Sequence, residues 1–220
     1  MEKEIEEKKR YSNKEELFNM ISHIVGALLG VVILIMCLIR TSQDNNTLGI
    51  VGSIIYGLSV IICYSCSAYY HGLRQKTPKK IFRVLDHCSI YLLIAGTYTM
   101  VTLSGMVPVV PLYGWLIFGL VWGLAILGII LSAISIERFK IISMILNILI
   151  GWMAVFFCFA VIEAITLTGF LLILVGGIAY TLGAILYGIG KRKPYFHFVF
   201  HVLCVAGTLV QFIAVLLFCI

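Results

Sequence analysis

Charged side chains are scarce in this sequence: Asp, Glu, Lys and Arg together make up 12% of its 220 residues. An average soluble domain carries about twice that share, so a water-facing surface of ordinary composition is excluded. No internal repeat or low-complexity tract divides the chain, and no polar stretch is long enough to form a separate soluble domain. The basic residues lack the aromatic interleaving of a nucleic-acid surface, which removes nucleic acid as a partner. An N-terminal leader pattern is also missing. The first apolar stretch is long, lacks a small-residue cleavage pattern and follows a tail of mixed charge, so it reads as a retained span. Cysteine is not scarce, but Cys37, Cys63, Cys66, Cys88, Cys158, Cys204 and Cys219 all fall in apolar segments. That placement argues against an extracellular disulfide framework and for buried thiols.

What fills the chain is apolar: 61% of residues are hydrophobic and the mean hydropathy is +1.08. This is the composition of an all-α integral membrane protein. The length matches about seven spans of ~20 residues with short connections, hence a single seven-helix bundle. Residues 1–16 form a charged arm, and 17–220 form the transmembrane domain. Ser12 and Glu15 fit a capping box, so the first helix is expected to start near residue 13, in water, and run to about 39. Further spans are expected at about 48–70, 84–104, 112–134, 141–162, 169–189 and 194–220, with Pro108 and Pro111 marking one turn and 163–168 another.

Charge sets the orientation. Of the sixteen Lys and Arg residues, Arg40 alone falls on the side opposite the N-terminus and the loops after spans two, four and six. The positive-inside rule then places the N-terminus in the cytoplasm and the C-terminus outside.

With that topology all five histidines, and the carboxylate of Asp86, lie in one leaflet. His197 and His201 are one helical turn apart, ~40° around the axis, and can present two imidazoles to one ion. His71 closes span two and Asp86 opens span three. Taken singly, each has a plainer explanation: interfacial histidines, a helix-end residue facing water, and a carboxylate favoured by a helix N-terminus. Ser67, four residues before His71 on the same face, is by itself an ordinary helix-contact residue. Jointly they describe a zinc site of His71, His197 and His201 with an open position for water. Asp86 then holds the water and moves its proton, and Ser67 points at the water or at a substrate carbonyl. Zinc is favoured over other divalent ions by imidazole ligands at low coordination. His23 reads as a supporting or structural residue, with a ligand role as the alternative. His87 points ~100° away from Asp86, and Cys66 sits ~140° around the helix from His71, so neither is assigned to the site. Gly26/Gly30 and Gly119/Gly123 read as sites of close helix packing.

Three segments carry a resemblance. Ser67-Ala68-Tyr69-Tyr70-His71, the stretch Leu85-Asp86-His87 with Ile90-Tyr91-Leu92-Leu93-Ile94-Ala95-Gly96-Thr97-Tyr98-Thr99, and the His197/His201 pair resemble the motifs of the bacterial hemolysin III branch of the progestin and adipoQ receptor family. The resemblance implies seven helices with a cytoplasmic N-terminus and zinc on His71, His197 and His201, with Asp86 and Ser67 around the metal's water. It also implies kinship with membrane hydrolases that include alkaline ceramidases, while the family name implies red-cell lysis. Met100 departs from the pattern, which commonly has proline there, and its presence removes an expected kink in span three.

Three functions follow as expectations. The first is a zinc-dependent hydrolase of amide or ester bonds in a membrane lipid, resident in the bacterial plasma membrane. The second is a pore-forming cytolysin, poorly supported because no segment looks conditionally inserting. The third is a sensor or receptor stabilised by zinc. The orientation is open to a direct check: alkaline phosphatase fused after residue 220 should be active in cells, and the same enzyme fused in the loop near Lys79 should be inactive.

Overall fold

The computed structural model describes residues 12–189 and 194–220. The arm's residues 1–11 and the basic loop 190–193 lie outside the described residues.

The chain is helical from the first capped turn onward. Ser12 accepts from the Glu15 backbone N–H, and Glu15 returns a bond to the Ser12 N–H, closing the expected capping box at the start of α1 (Asn13–Gln43). Asn46 caps α2 (Thr47–Gly72) through the Gly49 N–H. Next come α3 (Lys76–Met100) and a π-helix (Val101–Met106). α4 (Pro111–Ile134) carries proline in its first turn, where a missing N–H costs nothing. α5 (Ile136–Gly151), the four-residue α6 (Met153–Phe156), α7 (Cys158–Ile189) and α8 (Phe196–Phe218) complete the chain. Among the described residues six helices are long and apolar enough to cross a membrane: α1, α2, α3 with its π-helical extension, α4, α7 and α8.

α3 is the axis of the bundle. Its most apolar 18-residue stretch is 83% buried, against 28% in α1 and α4, whose outer faces are left for lipid. Between helices in lipid the hydrophobic effect gives little, so close approach and polar contacts decide the packing. α1 and α2 meet through glycine: a Cβ on Gly26 would lie 2.7 Å from the Tyr64 ring, and one on Gly57 would lie 2.5 Å from Leu34. Gly119 and Gly123 instead have nothing within 4 Å of where a Cβ would stand, so that pair does not serve the packing expected of it.

The expected fifth span is broken. The α-helix stops at Gly151, and Trp152 and Phe157 leave helical geometry on either side of α6. A side chain from α3 bridges the break. The Tyr98 hydroxyl donates to the Gly151 carbonyl at 3.2 Å and accepts from the Ala154 N–H at 2.8 Å, which satisfies backbone groups the break leaves open. The expected turn at 163–168 narrows to Ile165 and Thr166 within α7, and Thr166 adopts φ +66°, a strained conformation for a β-branched residue.

Met100 does not leave a regular helix behind it either. The Thr99 and Thr102 hydroxyls bond to the carbonyls four residues earlier, and the chain widens into the π-helix after Met100. That end of the bundle is tied together by Asn46 Nδ2 donating to Ser104 Oγ, which in turn donates to the Cys219 carbonyl at 2.8 Å. At the opposite end Arg83 of α3 pairs with Glu137 of α5, and that hydrogen bond and charge hold the Glu137 carboxyl below the usual carboxylate range.

Replacing Tyr98 by Phe removes the hydroxyl and strands two buried backbone groups. A stability loss of about 1–3 kcal/mol is expected, read as a lowered thermal midpoint in detergent.

Candidate metal centre

Two helices bring three histidines together at one end of the bundle. α2 ends with His71, and α8 begins with His197 and His201 one turn apart. All three are buried, at 4%, 7% and 1% exposure. Their Nε2 atoms converge: His197 Nε2 lies 3.3 Å from His71 Nε2 and 2.9 Å from His201 Nε2. One ligand atom from each residue falls within 4.8 Å of the others, so the cluster can hold a metal ion. Helical spacing pairs His197 with His201, and the fold brings His71 against them.

The rings are packed on all sides. His23 of α1 stacks on His201 with centroids 3.7 Å apart and meets Tyr64 edge-on at 4.9 Å. Tyr187 of α7 and Phe200 lie against His197. His23 therefore supports the ring of a cluster member, and it stands outside the group of three. Neither of its nitrogens has a hydrogen-bond partner among the described residues. The same holds for the Asn19 amide, one turn earlier on α1 and 0% exposed. Polar groups buried in apolar surroundings are costly without a partner, which makes this face of α1 a polar lining beside the cluster. Deeper in the bundle Tyr64 and Tyr180 both hydrogen-bond with the Thr208 hydroxyl at 2.5 Å, joining α2, α7 and α8 directly below the cluster.

Ser67 is buried one turn from His71, on the face α2 turns inward. Asp86 is partly buried on α3, 4.0 Å from His87 Nδ1. Its carboxylate stands outside the group of three histidines whose ligand atoms converge. His87 is engaged elsewhere, with Nδ1 2.9 Å from the Arg83 carbonyl.

One residue at the centre escaped the reading of the sequence. Glu16, counted with the charged arm, belongs to α1 and places Oε2 2.5 Å from His71 Nδ1. Lys79 of α3 donates to its other oxygen at 2.7 Å. The available signal was the spacing of Glu16, Asn19 and His23, which puts all three on one face of α1.

A family model described as Haemolysin-III related matches residues 11–212. The chain is 36% identical over 208 residues to Hemolysin-3 of Bacillus cereus, covering 93% of this chain and 92% of the relative. It is 32% identical over 210 residues to the Hemolysin-3 homolog of Bacillus subtilis (strain 168), covering 96% and 97%.

Replacing His197 and His201 together by alanine removes two of the three donors. Elemental mass spectrometry of detergent-purified protein should find about one metal ion per wild-type chain, as expected for a single three-nitrogen site, and none in the double variant.

Proposed function

The chain belongs to the haemolysin-III-related family, a multi-pass protein of the bacterial cell membrane, and on that premise we propose that it is a zinc-dependent hydrolase of amide or ester bonds in a membrane lipid. The observation that carries the reading is the convergence of three buried Nε2 atoms. Ligand nitrogens about 2.0–2.1 Å from a tetrahedral zinc stand about 3.3 Å apart, and the separations here are 3.3 and 2.9 Å. The third separation is within 4.8 Å, so His71, His197 and His201 would hold such an ion. Zinc in such a site supplies carbonyl polarisation and a water acidified to a pKa of about 7.

The chain's own residues complete the chemistry. Asp86 takes the proton of the attacking water on its carboxylate and returns it to the departing amine or alcohol oxygen. The Ser67 hydroxyl orients the substrate carbonyl. The apolar bundle around the centre excludes bulk water and admits a lipid from the adjoining leaflet.

Seven crossings with a cytoplasmic N-terminus accompany this reading. The broken stretch α5–α6 with the first part of α7 makes the fifth crossing, and the turn at Ile165–Thr166 separates it from the sixth. The basic loops then fall on the side of the histidines, and the substrate lipid comes from the inner leaflet.

The name Hemolysin-3 of the Bacillus cereus relative makes lysis a second reading, and one set of variants separates the two. Asp86→Asn should keep its zinc and lose lipid turnover by about 10²-fold or more, measured on amide- and ester-linked lipids in mixed micelles. Zinc retained with full turnover would overturn the role given to Asp86. A pore would lyse red cells as purified protein even with His197 and His201 replaced. A zinc-stabilised sensor would show no turnover, together with a large fall in thermal midpoint when metal is stripped.

A further inference from the structure

His71 has two ring nitrogens with different neighbours. Nε2 faces the cluster, and Nδ1 lies 2.5 Å from Glu16 Oε2. A carboxylate only accepts, so Nδ1 carries the proton, and Nε2 is left with its lone pair turned toward His197. With neutral rings this fixes the rest. A single proton on His197 Nε2 or on His201 Nε2 turns only one of the two close Nε2 contacts, 3.3 and 2.9 Å, into a hydrogen bond. With the proton on His201 Nε2 the other contact sets lone pair against lone pair, and with it on His197 Nε2 one N–H serves two lone pairs and can point at only one of them. A cation shared by the three nitrogens resolves both contacts at once, and for that His71 must stay in the tautomer that Glu16 selects.

Glu16 is itself held. Lys79 donates to Oε1 at 2.7 Å and stands 5.1 Å over the Tyr70 ring, which packs edge-on against His71. The Glu16 side chain is 16% exposed and that of His71 is fully buried, so this carboxylate lies at the boundary between the buried ring and the water beyond the bundle end. Its neighbour Glu15 serves another helix: Oε1 accepts from the Tyr195 N–H at 2.8 Å, at the N-terminus of α8. Adjacent carboxylates on the first turn of α1 thus reach both helices that carry the histidines.

We propose that Glu16 is a positioning residue of the metal centre: it orients the His71 ring, fixes its tautomer and strengthens Nε2 as a ligand, while Lys79 keeps the carboxylate in place. The proposal rests on the three-histidine cluster holding a metal. It assigns to the start of α1 a part in metal binding that the ligand set alone does not contain. A carboxylate behind a ligating imidazole is worth about 10–100-fold in metal affinity, and Gln at this position keeps the size but can turn an N–H toward Nδ1 and favour the wrong tautomer.

The test is a zinc competition titration on full-length protein in detergent, stripped and reloaded, against a chromophoric chelator. The cobalt-loaded protein is recorded in the visible, and the metal-free protein is melted. Glu16→Gln should weaken zinc about 10–100-fold and alter the cobalt spectrum, with the metal-free melting temperature close to wild type. Glu15→Gln, which makes the same change of charge but keeps an acceptor for the Tyr195 N–H and leaves His71 alone, should melt close to wild type and hold zinc within about 2-fold of it, because it does not touch the carboxylate behind the ligand. If Glu16→Gln binds zinc as tightly as wild type, or if Glu15→Gln weakens it equally, the positioning role is overturned. Should Glu16→Gln fail to accumulate, Lys79→Met carries the test, with weaker zinc expected and unchanged affinity counting against the proposal. A wild type that takes up neither zinc nor cobalt would remove the metal reading itself, an outcome distinct from the others.

Discussion

Imidazole nitrogens turned toward one point inside an apolar bundle repel through their lone pairs unless a proton or a cation stands between them. Here three Nε2 atoms are so turned, from rings that are almost wholly buried. Water cannot screen them at that depth, and the surrounding side chains are aromatic rings, Tyr64, Tyr187 and Phe200 among them. The rest of the bundle end is arranged around this constraint. Glu16 settles one proton, His23 stacks where a polar ring is tolerated, and Tyr64, Thr208 and Tyr180 close their own hydroxyl needs among themselves directly beneath.

Holding the rings in register is a task for backbone packing. α1 can bring Glu16 and His23 to the cluster only if it lies close along α2, and glycines at 26, 30 and 57 remove the side chains that would hold the two helices apart. α8 lies as close to α7, where Gly176 and Gly207 oppose one another. The two ligand-bearing helices thus each ride against a partner at short range. In lipid such contacts are the main attractive contribution available to them.

Much of this was legible in the sequence where one element carries the information. His197 and His201 are a helical pair by spacing alone, and the capping box at Ser12 and Glu15 appears where four residues announce it. Legibility ends where two distant segments decide an outcome together. Glu16 looks like one charge among many in a mixed tail, and only the fold shows that the first turn of α1 sets that carboxylate against α2. Gly119 and Gly123 have the spacing of a packing pair, yet spacing says nothing about whether a neighbour arrives on that face. The widening of the chain after Met100 is likewise local in appearance and collective in cause, since threonine hydroxyls at several positions draw on the same run of carbonyls.

The interrupted helix after Gly151 shows the same dependence in another way. No residue near the break explains it, because the group that completes the open backbone is the Tyr98 hydroxyl, from a helix more than fifty positions earlier. In lipid, a backbone opening without a partner is costly, so this stretch cannot settle as an independent membrane segment. It becomes complete only against α3. Synthesis provides that order, since α3 leaves the ribosome first and is available as a template when the broken segment emerges. The interruption therefore makes the assembly of the chain directional: its second half is finished by its first.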